Sequence, residues 1–120
     1  MTRIPASVLI ALSALMTTPL AEAHPVVKDS DPRDGAVVER APSEIRITFS
    51  EVLIPKFSGL EVKDKDGHVM ASGRASNDDD KTLVAPLSAP LKPGTYQVIW
   101  HAVSADTHRV KGQYAFTVKG

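Results

Sequence analysis

The strongest constraint on this fold is a series of short apolar runs separated by clusters of Pro, Gly and Asp, with no long helical period between them. The clearest run, residues 44–49, alternates polar and apolar side chains, as a strand buried on one face does. Asp-Gly within residues 64–68 predicts a hairpin turn. Seven or eight such strands without crossover helices predict an all-β Greek-key sandwich.

Side-chain alternation within these runs also predicts which residues form the core. Ile45, Ile47 and Phe49 share one face of their strand and should be buried. In segment 95–103, which has the clearest strand pattern, Trp100 should face the core and His101 should face outward. His101 is therefore a poor candidate ligand. The predicted strands are one that begins at Val26, a short edge within 36–40, and segments 44–49, 60–63, 69–71, 82–86, 95–103 and 112–118.

The first 23 residues have the pattern of a cleavable signal peptide. Arg3 precedes an apolar run, Val8–Met16, and small residues then lead to an Ala-x-Ala site at Ala21–Ala23. The apolar run is too short to cross about 30 Å of hydrocarbon, and no later stretch approaches about 20 consecutive apolar residues. We therefore predict that residues 1–23 are removed on export and that the mature domain, 24–120, does not insert into a membrane.

Cleavage at that site would make His24 the first residue of the mature protein. Its α-amino group and its imidazole are two nitrogen donors that can close a chelate ring on one metal ion, and both release their protons near neutral pH. Pro25 has no amide N–H that could supply a third nitrogen. The sequence therefore predicts a metal-binding N-terminus, although a peptidase that cut before an arbitrary residue would leave the same histidine.

Composition excludes several kinds of partner and metal site. Without residues 1–23, the 14 basic and 14 acidic residues fall to 13 of each, so no excess of positive charge favours nucleic acid. The chain has no Cys, which removes every thiolate metal site, including the blue-copper arrangement. Of three Met only Met70 follows the signal peptide, so a thioether-rich Cu(I) site is not expected.

A second group of metal ligands lies between the last two predicted strands, at Asp106 and His108. In extended backbone these two residues would project to the same face, about 6.5–7 Å apart, and both could reach one ion. Together with the amine and ring of His24 they make three nitrogens and one oxygen, a set that suits Cu(II). An isolated Asp-x-His is more often a solvated turn.

The sequence resembles the copper resistance protein C (CopC) family over residues 24–120. The resemblance implies a cupredoxin- or immunoglobulin-like β-sandwich that holds one Cu(II) ion through His24, Asp106 and His108. Glu51 matches an acidic residue that lies near copper in the family, as a weak axial ligand or a neighbour of the ligands, and an exposed strand-end charge is the alternative. The matching motifs are His24-Pro25, Asp31-Pro32-x-x-Gly35, Ile47-Thr48-Phe49-Ser50-Glu51, Pro93-Gly94-Thr95-Tyr96 with Trp100, and Val103–His108 leading into Gly112 and Phe116-Thr117-Val118.

The candidate ligands and the family resemblance together predict a periplasmic copper carrier or buffer that acts in copper resistance or homeostasis and is not an enzyme. The resemblance also implies an inner-membrane copper transporter of the CopD type as a partner. Some family members carry a methionine-rich Cu(I) loop, whereas this chain has only His68 and Met70 in that region. Two alternatives stay open: a copper monooxygenase with an N-terminal histidine, and a metal-free immunoglobulin-like interaction module.

Overall fold

The computed structural model describes residues 25–76 and 78–120, so the signal peptide and His24 lie outside the described residues. Within the described ranges the chain forms strands and one 3₁₀ turn, Pro55–Phe57, and has no α-helix. No helix in this part of the chain has the length and apolar character needed to cross a bilayer. The strands are β1 (Val27–Asp31), β2 (Val37–Val38), β3 (Glu44–Phe49), β4 (Gly59–Lys63), β5 (Val69–Ala75), β6 (Thr82–Pro86), β7 (Gly94–Val103) and β8 (Arg109–Val118).

The strands follow the spatial order β1-β3-β6-β5-β4-β7-β8-β2. Every pairing is antiparallel except that of β2 with β8, which is parallel. Strands β4, β5 and β6 form consecutive hairpins, and β3 returns to lie beside β6, which is the Greek-key arrangement. The prediction of an all-β Greek-key fold is therefore confirmed.

The core lies between the two halves of this folded sheet. Ile45, Ile47 and Phe49 are at most 1% exposed, as their alternation predicted. The ring of Phe49 meets that of Trp100 edge to face, with centroids 5.1 Å apart, although β3 and β7 are not neighbours in the sheet. This contact closes the sheet into a sandwich. The other core side chains are Leu53, Leu60, Val62, Leu83, Ala85, Leu91, Tyr96, Val98, Ala102, Phe116 and Val118.

Two strands are longer than predicted by three residues or more. The predicted strand 69–71 continues to Ala75, because Gly73 has no Cβ and a Cβ there would lie 2.0 Å from the carbonyl oxygen of Val84 on β6. The last strand begins at Arg109 instead of residue 112, because its pairing with β7 runs unbroken to Val103. The connection between β7 and β8 is therefore the tight segment 104–108.

Candidate metal centre

Ser50 fixes the start of the described chain. The backbone N–H of Val26 donates to Ser50 Oγ at 3.0 Å, and the backbone N–H of Ser50 donates to the carbonyl oxygen of Val26 at 2.9 Å. A residue two positions before Val26 lies at most about 7 Å away along extended backbone. This anchor holds Val26 beside Ser50, while the coordination of His24 stays a prediction.

The segment 104–108 is tied to the crossing that follows β3. The backbone N–H of Ala105 donates to the carbonyl oxygen of Val52 at 3.1 Å, and Ser104 forms an isolated antiparallel bridge with Leu53. Because Val52 comes two residues after Ser50, the same crossing also carries the anchor of the N-terminus. The two predicted halves of the metal site therefore share one structural support.

Residues 104–108 form a turn, whereas extended backbone was predicted for Asp106 and His108. The backbone N–H of Ser104 donates to the carbonyl oxygen of His108 at 2.9 Å, and that of Thr107 donates to the carbonyl oxygen of Ser104 at 2.8 Å. Thr107 has a φ of 71°, in the left-handed region. The turn still brings the two predicted ligands together, since Asp106 Oδ2 lies 3.0 Å from His108 Nδ1.

Asp106 is held as an ionised carboxylate. The buried hydroxyl of Ser104 donates to Oδ1 of Asp106, and the backbone N–H of His108 lies 3.4 Å from the same oxygen. The hydrogen bond from Ser104, followed by that from the His108 side chain, lowers the pKa of Asp106 to about 2. The carboxylate is therefore charged at neutral pH. Sequence reasoning did not identify Ser104, because a serine in a turn usually faces solvent.

A shallow cavity of about 240 Å³ joins these features. Glu51 and Asp106 both line it, so the acidic residue singled out by sequence lies on the same cavity as a predicted ligand. Ser50 and Ala105 belong to the wall as well, and Lys81 adds a positive charge at the rim. His101 is exposed on β7, as predicted, and does not line this cavity.

A different group of metal-capable side chains lies at the β4–β5 hairpin. Ligand atoms of Asp64, Asp66 and His68 come within 4.8 Å of one another, the one such group of three found among residues 25–76 and 78–120. Asp64 Oδ1 accepts the backbone N–H groups of Asp66 at 2.9 Å and His68 at 2.8 Å. The bond from His68 is the main cause of the lowered pKa of Asp64. The carboxylate of Asp64 therefore has a structural role, because its hydrogen bonds close the hairpin turn.

Comparison with known proteins gives a consistent result. The model of the CopC domain matches residues 27–119. Copper resistance protein C of Escherichia coli is 42% identical over 107 residues, covering 82% of this chain and 84% of that protein. The crystal structure of PcoC, a methionine-rich copper resistance protein from Escherichia coli, matches with a TM-score of 0.70 and 41% identity, over 81% of this chain and all of that one. CopC from Methylosinus trichosporium OB3b matches with a TM-score of 0.74 and 26% identity, over 80% and 94% of the two chains.

Proposed function

The chain belongs to the CopC domain family, and from this premise we propose that it is a periplasmic carrier or buffer that holds one Cu(II) ion through His24, Asp106 and His108. Its relatives are named for copper resistance, and copper binding in resistance or homeostasis is the role it shares with them. The copper ion is the cargo of the protein. An inner-membrane copper transporter of the CopD type is the expected partner.

One observation carries the proposed ligand set: the anchor of the N-terminus and the Asp106 turn are attached to the same short crossing. Val26 is bonded to Ser50, and Ala105 is bonded to Val52. A mature chain that starts at His24 has only two residues between its amine and the anchor. Two residues of extended chain are long enough for that amine and imidazole to reach the cavity that Asp106 lines.

The chemistry of these donors suits Cu(II). One amine, two imidazoles and one carboxylate form a nitrogen-rich set of the kind that Cu(II) favours in tetragonal geometry. Because Asp106 is ionised before metal arrives, binding costs no proton at that position. Glu51, half-buried on the same cavity, is proposed as a weak axial ligand or as a carboxylate that contacts the ligands.

The proposed role is transport or storage and not catalysis. An anionic ligand at Asp106 would occupy a coordination position that oxygen needs, which argues against a monooxygenase. Oxygen uptake by the copper-loaded protein with a reductant and a polysaccharide should therefore not exceed that of free copper with the same reductant. Turnover of the polysaccharide would establish an enzyme instead.

The decisive experiment uses protein recovered after export, with its N-terminus determined by mass spectrometry. Electron paramagnetic resonance with one equivalent of Cu(II) should show three nitrogen donors. His108→Ala should remove one of them, and His68→Ala, at the exposed hairpin, should leave the spectrum unchanged.

A form that retains Ala23 tests the N-terminal chelate directly, because the added residue converts the amine of His24 into an amide. This form should bind Cu(II) far more weakly and give a changed spectrum, whereas Glu51→Ala should weaken binding much less. An unchanged spectrum, or a native N-terminus at any residue other than His24, would overturn the proposed site. A protein that binds no Cu(II) in equilibrium dialysis would favour a metal-free interaction module.

A further inference from the structure

A row of basic side chains crosses the outer face of the sheet formed by β5, β4, β7 and β8. Arg74 pairs with Gly59, Gly59 pairs with His101, and His101 pairs with Lys111. Residues directly opposite one another in neighbouring strands project to the same face, and three strand spacings make this row about 14 Å wide. We call the row, together with Lys56, Phe57 and Arg109, the cationic face.

Two open depressions of about 340 and 530 Å³ lie on this face, and no acidic side chain among residues 25–76 and 78–120 lines them. No ion pair joins Arg74, Arg109 or Lys111 to a carboxylate within the described ranges. Glu61, two residues from Gly59 on β4, marks the acidic border of the face. Since the whole chain is formally neutral, the cationic face is a local excess of positive charge.

Phe57 adds an exposed aromatic ring to these charges. It ends the 3₁₀ turn Pro55–Phe57 and is 48% exposed, unlike the ring of Phe49 in the core. The ammonium group of Lys56 lies 5.5 Å from its ring centroid. An aromatic ring flanked by long basic side chains is the combination that partitions into the interface of a bilayer, with the ring at the headgroup boundary and the charges on the phosphates.

We propose that the cationic face docks the protein onto a bilayer that contains anionic phospholipids. A bilayer fits better than an acidic protein because the face is a broad sheet surface whose depressions are open, and no ion pair among the described residues holds Arg74, Arg109 or Lys111 in a single complementary shape. Arg109 directly follows His108, so docking would bring the proposed copper turn close to the lipid surface. The proposal goes beyond copper binding and does not require it.

Vesicle cosedimentation tests the proposal with the metal-free exported protein, after mass spectrometry has excluded any remaining signal peptide. The protein should bind vesicles of phosphatidylcholine with phosphatidylglycerol, should not bind phosphatidylcholine alone, and should dissociate as salt is added. Arg74→Gln with Lys111→Gln should lower the partition coefficient about 30-fold, since each cation near an anionic surface contributes about fivefold. Lys28→Gln with Lys92→Gln, the same charge change outside the face, should stay within about twofold of the wild type.

Three outcomes would overturn the proposal. These are no binding to the anionic vesicles at low salt, an equal loss for both double variants, and salt-sensitive binding to an acidic protein in the absence of binding to vesicles. Cu(II) affinity measured on the Arg74→Gln, Lys111→Gln variant should equal that of the wild type. Failure of lipid docking is thereby distinguished from failure of the copper site.

Discussion

Ser104→Ala tests whether the β7–β8 turn is built to present an ionised carboxylate. Ser104 is 2% exposed, and its hydroxyl donates to Asp106 Oδ1. This hydrogen bond is the largest cause of the low pKa of Asp106. The substitution removes the hydroxyl and leaves the backbone bond between Ser104 and His108, so the turn should persist while the carboxylate loses its main partner.

Ser104→Ala could weaken Cu(II) binding in two ways, by changing the charge of Asp106 or by changing the orientation of its carboxylate. Without the hydroxyl, the pKa of Asp106 should rise from about 2 toward the ordinary value of 3.8, so the carboxylate is ionised in both proteins at pH 7. A loss of Cu(II) affinity at pH 7 would therefore not be caused by protonation of Asp106. Removing a partner that orients a metal ligand typically costs 10–100-fold in affinity. Since Asp106 keeps its contact of 3.0 Å with His108, we expect the lower end, about tenfold.

The assay is chelator competition at pH 7, paired with a carbon NMR titration of the Asp106 carboxyl group in the metal-free protein. Ser88→Ala, in an exposed loop, is the matched control. Because the folded pKa is lowered, the carboxylate stabilises the metal-free fold above about pH 4, and this contribution disappears as pH falls toward 2. In the variant this step should be smaller, because the contact with His108 remains. Wild-type affinity in a variant whose Asp106 pKa has risen would refute the assigned role of this carboxylate.

Three further results are expected. Ser50→Ala removes the hydroxyl that anchors the N-terminal segment, and losing one hydrogen bond should weaken Cu(II) binding about 2- to 10-fold in calorimetric titration, with Ser88→Ala unchanged. Gly112→Ala would put a Cβ 2.6 Å from Trp100 Cζ2 and should destabilise the fold by about 1–3 kcal/mol in urea denaturation, whereas Gly120→Ala, with its nearest contact at 3.5 Å, should not. Cu(II) affinity should fall steeply below about pH 6.5, because protons compete for the nitrogen donors. An affinity that stays the same between pH 8 and pH 5 would contradict nitrogen ligation.

The period of the hydrophobic pattern was enough to predict the fold class and the central core. Ile45, Ile47 and Phe49 are buried because strict alternation leaves them one face to share. The parallel pairing of β2 with β8 could not be predicted, because a two-residue strand carries no pattern and is placed by backbone hydrogen bonds such as that from Thr117 N–H to the Ala36 carbonyl oxygen at 2.8 Å. The start of β8 could not be predicted, because Arg109 belongs to a charged stretch without an alternating pattern. Residues 109–111 are part of a strand only because they pair with β7.

The sequence indicated which residues of the candidate site could bind metal, but it did not indicate how the chain arranges them in space. Asp106 and His108 stood out because carboxylate and imidazole are metal ligands at close spacing. Their mutual contact depends on the left-handed φ of Thr107 and on the buried Ser104, and neither residue type signals such a role in sequence. A conformation reached by one threonine in a turn is decided by the surrounding hydrogen bonds, which appear only once β7 and β8 are paired.

The pairing of β7 with β8 also determines how the proposed copper turn and the cationic face relate to each other. Ten consecutive pairs run without a bulge from Gly94–Val118 to Val103–Arg109, where the turn begins. The ladder joins Lys111 directly to the turn that carries Asp106 and His108, so docking through Lys111 would hold that turn near the bilayer. The N-terminal segment, in contrast, is attached beside the cavity by two hydrogen bonds to Ser50. If His24 and the turn bind copper as proposed, we therefore expect the N-terminal histidine to dissociate from the ion before the turn does.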